Sequence, residues 1–344
     1  MRGVAILSVC AFHWGIGRGG YIGVDMFFVL SGFIITLLLI RGRPSYPSFI
    51  GGRVRRLYPP LLGLLALGLL FVWVLPNGPI GIHDAARHAL VAGAQLSSPW
   101  MATGKSLLDP FGVTWSLSIE WYFYLLWPLI VITLRKRAPT RAARITLVAA
   151  GIFYAAALPL PGFHFYFGPT ARWAELLVGA SIAFWKSGNP SLNRWKAHRP
   201  YAVVAVLFIV IWTLGGSDVF HPTYRLVALP LAVASTALLI VGGFGDPNSR
   251  VSRMLSSRVL TSVGLISYSL YLWHTFPIFL LKNGWMDLPH PLVGLLGVGL
   301  AGLLSFASYI ALERPFSRSR RRNGSVDRRV GRDPNDDVPT DVLR

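Results

Sequence analysis

Arg2 and His13 lie eleven residues apart. On a helix, eleven steps of about 100° bring them to nearly one face, roughly 16 Å apart along the axis. A histidine is the side chain best matched to taking a proton from a hydroxyl near neutral pH. Arg53, Arg55 and Arg56 cluster beside Tyr58, Pro59 and Pro60. Grouped arginines suit a polyanion, because a guanidinium grips phosphate bidentately. Further ionisable groups recur at helical spacing: Ser116 with Glu120, Arg172 with Glu175, and the stripe Ser267, Tyr271 and His274. Asp25 and Glu313 stand alone.

The elements that carry these groups are apolar. The chain has 344 residues, 53% apolar and 14% charged, whereas an ordinary soluble domain carries about 25% charged residues. Runs such as 22–40, 57–75 and 203–214 hold almost no charge apart from Asp25. Runs of about 20 residues match a hydrocarbon layer roughly 30 Å thick. They do not alternate as barrel strands do, so their backbone must be satisfied by α-helix. The expected fold is all-α: a polytopic membrane helical bundle of ten spans, near 1–15, 22–40, 57–76, 113–134, 145–160, 171–186, 201–215, 225–243, 261–281 and 291–311.

Placing both termini in the cytoplasm puts 27 of the 33 Lys and Arg on the inner side, as orientation by basic loops demands. If residues 82–98 crossed as well, every later basic loop would fall outside, so this stretch is expected to be an outer amphipathic or re-entrant segment. The first run covers only about 20 Å as a helix, so either the start codon is misplaced or this helix leans on its neighbours. No cleavable signal peptide is evident. The stretch 316–344 is rich in Arg and Asp and is expected to be a disordered basic cytoplasmic tail lying against lipid. The net charge of +19 sits in short loops between apolar runs and so speaks for membrane lipids rather than nucleic acid. The solitary Cys10 excludes a disulfide framework.

With this orientation, His13, Asp25, Ser116, Glu120, Arg172, Glu175 and His274 converge on the outer half of the membrane, and the arginine cluster marks the inner mouth. Each ionisable group in a span is costly and so a functional candidate. Each also has a plain structural reading. The arginines could anchor a loop, His13 could pack, Asp25 could cap its helix, and Arg172 and Glu175 could pair locally. GIGRGG at 15–20 follows a membrane helix rather than a strand, so it is not a phosphate loop.

Six segments, in order, are similar to the integral-membrane acyltransferase 3 family of O-acyltransferases that modify surface polysaccharides and macrolides. RGVAILSVCAFH (2–13) resembles its R-x10-H signature, and GGYIGVDMFFVLSGFIIT (19–36) its second span. FIGGRVRRLYPP (49–60) resembles its R-x-x-R segment, and TWSLSIEWYFYLLWP (114–128) its W-S-L-x-x-E segment. ISYSLYLWHTFP (266–277) and ALERP (311–315) resemble its last two spans. The resemblance implies a membrane domain over 1–315 and an acyl-CoA donor, commonly acetyl-CoA, bound from the cytoplasm by Arg53 and Arg56. His13 would be catalytic and Arg2 its structural or donor-binding partner. Two departures stand out: many members read E-E-Q where this chain has Glu120, Trp121 and Tyr122, and many carry a further soluble esterase-like domain, so this chain resembles the stand-alone branch.

The expected reaction moves an acyl group from cytosolic acyl-CoA to a hydroxyl of a carbohydrate or macrolide-like acceptor in the inner membrane. His13 acts as base, oriented by Glu120 or Asp25, with direct transfer and an acyl-histidine both open. The acceptor-side candidates are Asp25, Trp115, Arg172, Glu175 and His274, and no metal is expected. A proton-coupled transporter or flippase is the alternative, since buried His and carboxylates also serve proton relays.

Overall fold

The computed structural model describes residues 1–74, 80–189, 199–245, 249–282 and 290–316. Among them there is no strand, and the chain is a bundle of helices. The expected tail, 316–344, lies outside the described residues except for Phe316.

Helix α1 (Arg2–His13) buries Ala5, Ile6, Val9 and Cys10 against α2 (Ile22–Gly42). The glycines between them are packing residues. A Cβ at Gly19 would lie 2.0 Å from the carbonyl oxygen of Trp212, and one at Gly20 would lie 2.0 Å from that of Ser8. Helix α3 (Tyr46–Val74) contains Pro59 and Pro60, which leave the carbonyls of Arg55 and Arg56 without their helical donors.

Helices α4 (Ile82–Gly93) and α5 (Ser97–Ala102) are too short to cross a bilayer. They form a hairpin that dips into the bundle. Tyr58 donates to the Gly93 carbonyl at 3.4 Å and Tyr122 to the Gln95 carbonyl at 2.6 Å. Tyr58 lies sixteen residues before the end of α3, about 24 Å along it. The chain therefore descends beside α3 and returns through α5, where Ser97 meets Thr114 at 2.7 Å. At its tip Gln95 is buried, while Ala94 and Leu96 on either side are exposed. Neither helix alone is long enough to cross, so 82–98 forms no single continuous span.

Helix α6 (Thr114–Leu134) follows, then α7 (Pro139–Ala157), α8 (Gly162–Phe167) and α9 (Pro169–Ser187). Helix α9 runs between α2 and α7. A Cβ at Gly32 would meet the Leu176 carbonyl oxygen at 1.9 Å, and one at Gly179 would meet that of Val29 at 2.0 Å. Two backbones in such contact need glycine at both positions. Next come α10 (Arg199–Gly215), a π-turn (Tyr224–Ala228) leading into α11 (Leu229–Gly245), and α12 (Arg250–Leu255).

The last part departs from the sequence reading. Residues 261–281, expected as one span, form α13 (Arg258–Leu265), α14 (Ser267–Trp273) and α15 (Phe276–Lys282), with a bend of 62° at the first break. Helix α16 (His290–Ser308) ends in a π-turn (Tyr309–Glu313). Among the described residues, five helical stretches are long and apolar enough to cross a membrane: α2, α3, α6, Tyr224–Gly242 and Gly294–Phe316. The bent pair would make a sixth, and α1 and α10 are apolar but shorter. Helices α7 and α9 were expected as spans but are too polar for that criterion. Arg141 and Arg144 lie in α7, and Arg172, Glu175 and Lys186 in α9.

Candidate active site

His13 is the last residue of α1, and its side chain is exposed there. The break after α13 turns α14 so that its C-terminus meets the end of α1. Two imidazoles are thereby paired: His274 Nε2 lies 3.1 Å from His13 Nδ1. His13 Nδ1 also lies 3.1 Å from the Val9 carbonyl oxygen, and His274 Nδ1 lies 2.7 Å from that of Tyr271. Trp14 Nε1 donates to the His274 carbonyl at 3.3 Å, which ties the two chain segments together.

Below this pair lies a cavity of about 470 Å³, counting its solvent-filled mouth. Its lining includes Arg2, Ser116, Glu120, Ser267, Tyr268 and Tyr271. Ser116 donates to the Tyr271 hydroxyl at 2.6 Å. The Tyr271 ring lies 5.6 Å from the His274 ring, centroid to centroid. Tyr271, which lines the cavity, thus connects it through His274 to His13. Neither His13 nor Arg53 nor Arg56 lines the cavity.

At the other end three guanidiniums gather. Arg53 and Arg56 are both half-buried on one face of α3, three residues apart, while Arg55 is exposed. Arg53 lies over the rings of Phe49 and Tyr124, at 5.5 and 5.8 Å from their centroids. Arg56 stands 4.0 Å from Glu313, which accepts at 2.8 Å from Ser269. Arg2, Arg53, Arg56 and Glu120 lie within electrostatic range of one another. Among the described residues Arg2 makes no hydrogen bond or ion pair, and the Nε of Arg53 is buried without a partner.

Among the described residues Glu120 makes no hydrogen bond to His13. Its Oε1 accepts from the Ser31 hydroxyl, and its Oε2 from Tyr124 at 2.8 Å. Nor does Asp25. It belongs, with Arg172 and Glu175, to a buried knot: Arg172 Nη1 lies 2.5 Å from Asp25 Oδ1 and 2.5 Å from Glu175 Oε1. Arg172 Nη2 donates at 2.8 Å to Tyr224, which donates at 2.9 Å to Asp25, and Arg172 Nε donates at 3.0 Å to the Tyr166 carbonyl. Trp115, also buried, lies over the guanidinium at 5.8 Å. The side chains of Asp25, Arg172 and Glu175 are at most 1% exposed, and none lines the cavity. The acceptor-side candidates therefore divide. Asp25, Trp115, Arg172 and Glu175 form a closed unit that joins α2, α6, α9 and the turn before α11. His274 alone reaches His13.

Sequence reading missed Ser31 and Tyr124, which bond Glu120, and Tyr224, which bonds Asp25 and Arg172, while Asp25 Oδ2 and Glu175 Oε2 stay buried without a hydrogen-bond partner. The spacing of Glu120 and Tyr124, i and i+4 on α6, was a usable signal. Ser31 and Tyr224 come from distant segments and carried none. Among the described residues no cluster of three or more His, Cys, Asp or Glu side chains could hold a metal ion.

A family model described as an acyltransferase domain matches residues 1–314. The peptidoglycan O-acetyltransferase OatA of Listeria monocytogenes is 28% identical, over 95% of this chain and 56% of its own length. YrhL of Bacillus subtilis, provisionally named a peptidoglycan O-acetyltransferase, is 30% identical over 92% of this chain and 54% of its own. BcsY of Komagataeibacter xylinus, provisionally named a membrane-bound transacylase, is 29% identical over 91% of this chain and 81% of its own. The chain thus spans little more than half the length of the two relatives named for peptidoglycan. No solved structure matches it.

Proposed function

From the premise that this chain belongs to the acyltransferase domain family that matches it from end to end of its helical bundle, we propose that it is a membrane O-acyltransferase. It moves an acyl group, acetyl in the first instance, from acyl-CoA to a hydroxyl of a carbohydrate acceptor. The observation that carries the reading is a pair of unmatched cations, of which Arg2 lines a cavity and Arg53 lies within electrostatic range of it. Arg2 and Arg53 have no counter-ion in contact, and a buried guanidinium without an anion is costly. A bound polyanion removes that cost, and the CoA phosphates supply one.

The arginine end faces the cytoplasm, where CoA is found. The support is the charge of the loops, 27 of 33 Lys and Arg falling on that side, as cytoplasmic loops require. The nucleotide end of CoA rests on Arg53, Arg56 and Arg2. The pantetheine arm enters the cavity lined by Ser116, Glu120 and Tyr271. Glu120 serves as counter-charge within the arginine cluster. His13, at the opposite end of α1, takes the proton of the acceptor hydroxyl. The knot of Asp25, Arg172 and Glu175 holds the helices that frame the site. A carbohydrate acceptor agrees with the names of OatA and YrhL.

The test uses full-length protein in vesicles, with acetyl-labelled CoA on one face and glycan fragments on the other. Labelled glycan and free CoA thiol should appear in equal amounts. Glycan crossing the membrane without release of thiol would instead identify a flippase.

A further inference from the structure

We propose that His274 is the positioning residue that fixes the tautomer of His13, so that His13 Nε2 is the atom that takes the acceptor's proton. This rests on the reading of His13 as the base. Carbonyl oxygens carry no proton, so a ring nitrogen that bonds to one must supply it. His274 Nδ1 faces the Tyr271 carbonyl at 2.7 Å and is therefore N–H. In a neutral ring that leaves His274 Nε2 as a lone pair. It points at His13 Nδ1, 3.1 Å away, which is itself 3.1 Å from the Val9 carbonyl. His13 Nδ1 thus carries the proton and shares it between Val9 and His274. A cationic His274 would set two N–H groups against each other, so His274 stays neutral. His13 Nε2 keeps its lone pair and, among the described residues, has no partner. It sits at the exposed end of α1.

The group-transfer step then balances. The acceptor O–H gives its proton to His13 Nε2, while its oxygen forms a bond to the thioester carbonyl carbon. The C–S bond breaks, and the leaving thiolate takes the proton back from Nε2 to become CoA thiol. The imidazolium that exists between those events has its charge eased through Nδ1–H against the His274 lone pair. A dyad needs an acceptor behind the base for orientation and charge. In this chain the acceptor is a second imidazole instead of a carboxylate.

The experiment compares His274→Ala, His274→Gln and His13→Ala proteins in membranes, with abundance measured for each. His274→Ala should lower kcat about a hundredfold, with both KM values within about twofold. His274→Gln sets a carbonyl oxygen near the position of Nε2 and should recover about tenfold of that loss. Nitrogen NMR of histidine-labelled wild-type protein should show His13 neutral with its proton on Nδ1. The signal is assigned by its loss in His13→Ala. Unchanged kcat in His274→Ala, a Gln variant no better than Ala, or a His13 proton on Nε2 would overturn the proposal. A fully active His13→Ala protein would remove the underlying reading instead.

Discussion

Arg53 and Arg56 share one half-buried face of α3, and the intervening Arg55 points away from it. Three arginines adjacent in sequence are therefore not equivalent. Arg53→Ala and Arg56→Ala should each raise KM for the donor by about 10- to 100-fold, the worth of a charge-assisted hydrogen bond. Arg55→Ala should stay within about twofold. Initial rates against acetyl-CoA concentration in isolated membranes read the difference. Equal effects at all three positions would assign the cluster to loop anchoring.

The knot around Arg172 predicts a loss of folding rather than of chemistry. Arg172→Ala leaves two buried carboxylates, Asp25 and Glu175, without their cation. Such a break costs about 3–5 kcal/mol. The protein should disappear from the membrane fraction or melt well below wild type in detergent. A stable, abundant Arg172→Ala protein with only a raised KM for the acceptor would return Arg172 to the substrate.

Helix α9 offers a steric test. The backbone of Gly32 lies against Leu176 and that of Gly179 against Val29. Gly179→Val should force α2 and α9 apart and cost about 1–3 kcal/mol or more, read as a lower melting temperature. Gly151 has open space at its Cβ, so Gly151→Ala should leave the melting temperature unchanged or raise it.

Glu120 separates charge from shape. Glu120→Gln keeps an oxygen for one of its two hydroxyl partners, Ser31 or Tyr124, and removes the counter-charge to the arginines. The expected result is a changed donor KM with kcat reduced less than about tenfold. A loss of kcat equal to that of His13→Ala would restore Glu120 to the reacting atoms.

The sequence made some of this legible and hid the rest for physical reasons. Apolar runs disclosed α2, α3 and α6, because a bilayer imposes length and composition together. The same rule marks α7 and α9 less clearly, because Arg141 and Arg144 open α7 and Arg172, Glu175 and Lys186 punctuate α9, which packs between α2 and α7. Spacing placed Arg53 with Arg56, and Ser116 with Glu120, because i, i+3 and i, i+4 neighbours share a helix face. It could not show that His274 meets His13, 261 positions away. Nor could it show the 62° bend that permits the meeting. It also could not show that Asp25 and Glu120, the expected orienters of His13, bond to other groups. Asp25 meets Arg172 and Tyr224, and Glu120 meets Ser31, all from segments that the linear chain does not mark as neighbours, whereas Tyr124 lies four residues after Glu120 on the same helix.

The central claim is that His13 removes the proton from the acceptor. Its most direct test is the initial rate of acetyl transfer from acetyl-CoA to glycan by His13→Ala protein present in the membrane at wild-type abundance. The account predicts a rate lower by about 10²- to 10⁴-fold, the usual worth of a positioned base, with donor binding to Arg53 and Arg56 retained. A wild-type rate at wild-type abundance would contradict it.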